Sequence, residues 1–449
     1  MKQLSLNTRS LGLVFTVLCG QVAAIGMARL ALAQPVLALG LMYAVGFWIV
    51  AWKRPHVALM LIFASAPLQN DLGGTSLRFS LAEVHLGLAL PVVLLKCWAE
   101  KRRLVLGPAI VPVLLYLAVC FFSSLQTWRG GVAANSLLQM ILYMVIAVGL
   151  FASLPRDERD FLPAFNLLVV VCIALVVLGS AVGYPRLGLN KNGIGASLAC
   201  AVLVCIEMWF SARDARSKLF AGAALAILAA GLMLTVSRGS WLGAFVGIVF
   251  ICLMRRQVGL MLRAFVVLLP VIVVSWNLLP AKTQAYATGF ETKRYNIQAR
   301  YESVDLARSY YEKNTTYGSG VGLRKTYDAT NVQWLTLAET GVLGLFCFML
   351  IHVVFITVVW RARHKFSRDD PRFSLLCIGG ALMLYKLAHG SVDHYWSRGA
   401  LTIVWAGVGM AAYACAVSRQ KQPSEEMVSF APIGAAPQLS APVPAHEYS

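Results

Sequence analysis

The stretch "LFAGAALAILAAGLMLTVSRGSWLGAFVGIVFICLM" (Leu219–Met254) decides the fold. Two apolar runs, at 219–236 and 240–254, flank a break of only a few residues, "SRG", and each run approaches the roughly 20 residues that a helix needs to cross a hydrocarbon core. Apolar side chains occupy every face of both runs, so neither is the one-sided helix of a water-soluble domain. In lipid the backbone must satisfy its own hydrogen bonds, which leaves helix, tight turn, helix as the reading.

Outward from this hairpin the pattern repeats along almost the whole chain. Apolar segments occur near 11–30, 36–51, 56–69, 81–98, 108–125, 136–153, 161–183, 193–211, 219–236, 240–254, 262–279, 332–360, 373–389 and 399–417. Composition agrees: the 449 residues are 59% hydrophobic and 13% charged, with a mean hydropathy of +0.70, too little polar surface for a soluble fold. The expected fold class is an all-α polytopic bundle of about 12–14 spans with one large loop that contains short helices. The chain divides into N-terminal transmembrane helices (1–183), a second transmembrane region (184–417) with its loop at 281–331, and a Pro-, Ala- and Ser-rich tail (418–449) expected to be a disordered cytoplasmic segment.

Alternate loops collect the positive charge, as in "WKRP" (52–55), "KCWAEKRR" (96–103), "SARDARSK" (211–218) and "RARHKFSRDDPR" (361–372). The positive-inside rule makes these cytoplasmic, and both termini with them. The N-terminal segment is read as an uncleaved span because Arg29 stands where a signal peptide's cleavage region is usually uncharged; "ALA" before Gln34 keeps a signal peptide as the alternative. The net charge of +19 then reflects topology and gives no reason to expect nucleic acid. The ten cysteines lie in or beside apolar spans without a Cys-x-x-Cys pair, which reads as packing, with neither a disulfide framework nor a zinc site expected.

Topology leaves the basic residues of the opposite face unexplained. That face carries Arg186 and Lys191 in "GYPRLGLNKNGIG" and Arg238 in the opening stretch. Its long loop counts eight basic against five acidic residues, and "KLAHGSVDHYWSRG" (386–399) adds Lys386, His389, Asp393, His394 and Arg398. Arginine's planar fork suits a phosphate or pyrophosphate, and each such charge-assisted bond contributes about 1.5–3 kcal/mol when shielded from water. The alternative is that each basic residue snorkels to lipid headgroups and anchors its helix, an account that fits Arg238 poorly because its tight turn leaves no loop to solvate it.

Within the 386–399 stretch, His389 is the leading candidate to take or orient a proton; if the helix continues past Gly390, Lys386, His389 and Asp393 follow i, i+3, i+7 on one face, a spacing that would let Asp393 hold the imidazole. Capping and water binding at a Gly-interrupted helix end is the other reading of that pair, with Glu339 and His394 as lesser candidates for the proton role. The glycines of "GSGVGL" (318–323) have no preceding strand or P-loop lysine, so a loop turn is expected there. "ARYESVDLARSYYEK" (299–313) reads as an amphipathic helix over the bundle, its face drawn by Tyr301, Val304, Leu306 or Asp305, and Arg308. The loop's tyrosines and Trp334 fit interface anchors or sugar-stacking platforms.

"TVSRGSWLG" (235–243), then a long loop with "ARYESVDLARSYY" (299–311), "GSGVG" (318–322) and "TNVQWLTLAETGVLGL" (330–345), resembles in its order of motifs the O-antigen ligase and polymerase family of bacterial polysaccharide assembly. The resemblance covers about Gly183 to Phe348. It implies a glycosyltransferase of the bacterial inner membrane, active at the periplasmic face, that moves a glycan from an undecaprenyl pyrophosphate carrier to a lipid or glycan acceptor. Lipopolysaccharide or exopolysaccharide assembly is the setting, membrane lipids are the surroundings, and other polysaccharide-assembly proteins are the implied partners. Motif by motif, the family's membrane arginine corresponds to Arg238, its loop arginine to Arg300 and its Asn to Asn331. The His that precedes that Asn in the family is here Thr330, which cannot act as a base near neutral pH.

The expected site therefore comprises Arg238, Arg300, His389 and Asp393 as catalytic groups, with Arg186, Lys191, Asn331, Glu339 and Arg398 binding substrate. Pyrophosphate is a good leaving group once its charge is neutralised, so neither cofactor nor metal is expected. A ligase and a repeat-unit polymerase remain alternatives, as do a lipid-linked glycan transporter and a non-catalytic scaffold. A transporter would be expected to hold its polar groups near the bilayer midplane and to show related halves, and neither is evident.

Overall fold

The computed structural model describes residues 34–68, 71–72, 79–126, 130–263, 294–326, 329–396 and 399–420, with isolated positions at 266, 277, 281 and 284. The expected spans at 11–30 and 262–279 fall wholly or mainly outside these residues, as do most of the 418–449 tail and Arg398.

The described chain is helical apart from a single antiparallel pair, β1 (Asp71–Leu72) with β2 (Phe79–Ser80). The helices are α1 (Pro35–Lys53), α2 (Pro55–Ser65), α3 (Leu81–Ala99), α4 (Ile110–Gln126), α5 (Gly131–Ser153), α6 (Phe161–Val182), α7 (Lys191–Ser211), α8 (Ala215–Leu234) and α9 (Arg238–Arg255). Then follow α10 (Arg294–Lys313), α11 (Leu323–Thr326), α12 (Val332–Ala362), α13 (Pro371–Gly390) and α14 (Ala400–Gln420). Among the described residues ten helices are long and apolar enough to cross a membrane, and two shorter apolar ones, Pro55–Leu68 and Ile110–Leu125, fall at expected spans. The protein is an all-α polytopic helical bundle.

α5, α7, α13 and α14 are the most enclosed of these helices, and α1 is the most open to lipid. Close approach explains the central packing. A Cβ on Gly243 of α9 would meet the Tyr385 backbone oxygen at 2.7 Å, and one on Gly407 of α14 would meet Leu382 at 2.7 Å, so small residues let these backbones touch where larger ones cannot.

The basic loops share one end of the bundle. Arg255 at the close of α9 pairs with buried Glu207 of α7, and its guanidinium also reaches Ser374 Oγ at 3.0 Å. Nearby, Arg213 donates to the Asp369 carbonyl, and His56 lies 3.7 Å from Asp160.

At the other end, α12 accounts for the shape. Its 31 residues would run about 46 Å if straight, but the helix breaks at Gly341 (φ 65°, ψ −165°). A side chain there would strike the Thr316 carbonyl, and Val342 N–H bonds to Thr315 O at 2.9 Å, so the loop before α11 is pinned into the break. The positive φ explains the glycine.

Helix α10 lies on α12, as expected of an amphipathic loop helix, but its inward face is rotated from the predicted one. Ser303 and Ala307 are buried, Tyr301 is 69% exposed, and Arg308 pairs with Glu312 on the outer surface. Small residues make the contact, and Ala307 joins Leu323, Ala329, Leu335 and Ala338 in a satellite core beneath the loop.

Candidate functional site

The turn between α8 and α9 is tightly made. Val236 sits at φ 52°, a conformation that costs a β-branched residue about 1–3 kcal/mol and persists only where its surroundings enforce it. Thr235 Oγ1 donates to Leu232 O and accepts from Ser237 N–H, while Trp241 Nε1 donates to Leu232 O at 2.9 Å. Ser237 precedes α9, yet its hydroxyl bonds to Ser240 Oγ at 2.9 Å and does not cap a backbone N–H. Arg238, the first residue of α9, is exposed. A Cβ on Gly195 of α7 would come within 2.9 Å of Ser237 and Thr235. Lys191 is one helical turn before Gly195 on the same face of α7, which puts it at this end beside the turn.

The second component is the turn that closes α13, residues 389–394. Three elements distant in sequence meet it. From α9, Gly239 packs so closely that a Cβ there would lie 3.3 Å from Asp393 Cβ, His389 Cδ2 and Val392 Cγ2. From α10, Arg300 Nη1 donates to Val392 O at 3.2 Å. At the start of α12, Asn331 Nδ2 donates to Ser391 O at 2.9 Å and its Oδ1 accepts from Trp334 N–H, capping the helix, while Gln333 donates to Ser391 Oγ. Thr330, in the place of the family's histidine, has its hydroxyl 3.5 Å from Ser303 Oγ.

Arg300 and Asn331 are thus bonded to the turn that carries His389 and Asp393, and Arg238 stands one residue before the Gly239 that packs on it. The two arginines are exposed, whereas His389 and Asp393 are 1% and 4% exposed. His389 stacks on Tyr385 with ring centroids 5.8 Å apart, and Tyr385 OH donates to Ala196 O of α7. The partner of the imidazole differs from the expected one. Asp393 Oδ1 accepts from His394 N–H, and it is Lys386 Nζ that lies 3.3 Å from His389 Nδ1 and donates to His394 O at 3.1 Å. Lys386 is wholly buried. Its i, i+3 spacing from His389 holds as the sequence has it, but α13 ends at Gly390, so Asp393 leaves that face and it is the lysine that reaches Nδ1.

The other candidates stand apart. Arg186 is exposed on the short 3-10 turn Tyr184–Leu187, and no hydrogen bond or ion pair joins it to the 389–394 turn among the described residues. Glu339 is engaged elsewhere: its carboxylate accepts from the N–H groups of Gly322 and Arg324, lies 3.4 Å from the Arg324 guanidinium, and is 1% exposed. The same contacts settle "GSGVGL" as a packed loop turn, since its amides are spent on Ala338 O, Glu339 and Ser124. Arg324 itself is buried, stacked 4.2 Å from the Trp396 ring and bonded to Ser136 O. An acid inside "TLAETGVLG" with an arginine shortly before it was the available signal for this pair.

Two cations, a helix N-terminus and a buried imidazole at one end of an apolar bundle form an arrangement suited to an anion. Comparison with known proteins finds no matching family model and no matching curated relative.

Proposed function

We propose that the protein is a membrane glycosyltransferase of O-antigen ligase type, transferring a glycan from an undecaprenyl pyrophosphate carrier to an acceptor at the periplasmic face of the bacterial inner membrane. The observation that carries this reading is the packing of Gly239, which follows Arg238 at the head of α9, on the turn that holds His389 and Asp393, together with the bond of Arg300 from α10 to that same turn. The resemblance in motif order supports it independently. In the reaction, the acceptor hydroxyl oxygen bonds to the anomeric carbon as that carbon's bond to the phosphate oxygen breaks. The bonding electrons leave on the lipid pyrophosphate, where the arginines neutralise the developing charge. The hydroxyl proton goes to a base, for which His389 and Asp393 are the candidates.

Repeat-unit polymerisation uses the same donor chemistry, and one experiment separates it from ligation. In cells lacking the protein, long glycans accumulating on the lipid carrier identify a ligase, whereas single repeat units identify a polymerase. Arg238→Ala is expected to reproduce the deletion. Unchanged carrier-linked glycan in the deletion, or full complementation by Arg238→Ala, would instead favour a transporter or a scaffold.

A further inference from the structure

We infer that Lys386 fixes His389 as the tautomer with its hydrogen on Nε2, so that His389 donates a hydrogen bond to the bound pyrophosphate and leaves the base role to Asp393. This rests on the anion-site reading above and assigns a function within that site to two buried groups.

The contacts of Lys386 set the protonation pattern. Its Nζ lies 3.1 Å from His394 O and 3.3 Å from His389 Nδ1. An ammonium has three N–H groups and no lone pair, so it meets Nδ1 only by donating to it. A neutral imidazole carries one N–H, and Nδ1 accepting from lysine places that hydrogen on Nε2. An imidazolium has no lone pair for Lys386 to meet.

The direction of Nε2 comes from Gly239. Ring atom Cδ2, which is bonded to Nε2, is 3.3 Å from where a Gly239 Cβ would stand, so this edge of the imidazole faces the first turn of α9. Nε2 is buried and has no hydrogen-bond partner among the described residues. Stacking on Tyr385 holds the ring plane. An anion at the head of α9 would therefore meet the helix N-terminus beside Arg238 and lie next to the ring edge that carries the unpartnered Nε2–H. The charged and titratable groups against His389 are Lys386 and His394 from its own segment and Tyr385 stacked on the ring, with Asp393 packed beside it on Gly239 and Arg300 bonded to the neighbouring Val392 O. Asp393 is the carboxylate beside that same first turn, its Cβ also 3.3 Å from the Gly239 position. Lys386 is accordingly a positioning residue, acting through the imidazole.

The test uses the full chain, purified in lipid nanodiscs with ¹⁵N-labelled histidine, and inorganic pyrophosphate as the probe. Loss of one signal in His389→Gln assigns His389 among the seven histidines. Expected for the wild type without ligand is an unprotonated Nδ1 and a protonated Nε2, with that preference lost in Lys386→Met and the Nε2 resonance displaced by pyrophosphate. His389→Gln, whose amide N–H reaches the Nε2 position, is expected to bind pyrophosphate within about threefold of wild type, and His389→Leu about tenfold or more weaker. A wild-type Nδ1–H tautomer, or a Gln variant as weak as Leu, overturns the inference. The tautomer is read in the wild type without ligand, with His389→Gln used only to assign the signal, so a wild type with the expected tautomer that binds no pyrophosphate instead overturns the anion site itself.

Discussion

Arg238 is exposed in a turn that is otherwise sewn together by its own hydroxyls and by Trp241, which makes the guanidinium the variable part of a rigid mount. Lysine would keep the charge and lose the paired geometry. Arg238→Ala is expected to lower glycan transfer by about 10²–10³, in line with removal of one charge-stabilising group from a preorganised site, and Arg238→Lys and Arg300→Lys to lower it by less, because the charge stays and the fork is lost. Full activity in the Arg238→Lys variant, measured as carrier-linked glycan in complemented cells, would count against a bidentate phosphate contact. At this scale the sequence marked Arg238, His389 and Asp393 because polar residues on a face that topology leaves poor in charge demand a reason, while Arg300 and Asn331 were singled out by the resemblance in motif order. It misjudged Glu339, whose partner Arg324 lies across a loop where sequence spacing carries no distance information.

Helices were legible wherever an apolar run specified them, and their faces and breaks were not. α10 turns its small residues inward, so a reading that weighs large apolar side chains rotates the helix wrongly. The break in α12 depends on one glycine whose positive φ becomes apparent only once the loop is seated against it. Gly341→Ala is expected to destabilise the chain by more than about 1 kcal/mol, from backbone strain and the clash with Thr316 together, and thermal unfolding in detergent measures it. Glu339→Gln leaves Arg324 buried without its counter-charge, a change that costs about 3–5 kcal/mol in comparable buried pairs. Lower thermal stability with unchanged pyrophosphate affinity in the folded fraction is the expected result; lost affinity at full stability would put Glu339 on the ligand.

For the whole molecule, the sequence supplied the all-helical class and the division of charge between two ends, while the enclosed set formed by α5, α7, α13 and α14 emerges only from packing. Sidedness follows from the charge division and is open to direct measurement. Cysteine at Lys218, among the basic loops, and at Arg300, on the opposite end, should react with a membrane-impermeant thiol reagent in different compartments. Arg300→Cys is expected to label from outside the inner membrane, and Lys218→Cys only after permeabilisation. Native background should be low because eight of the nine described cysteines are buried. Labelling of both from the same side would overturn the two-ended topology.

The break at Gly341 also bears on how the protein tolerates membranes of different thickness. Residues 332–340 are tied to the loop through Ala338 and Glu339 and to the 389–394 turn through Gln333, whereas 342–362 are long and apolar enough to cross the lipid. A helix longer than the hydrocarbon layer accommodates by tilting, and here the joint confines that tilt to the lower section. The expected consequence is that mismatch at this helix is taken up below Gly341, leaving residues 332–340 seated on the loop as the bilayer thins or thickens.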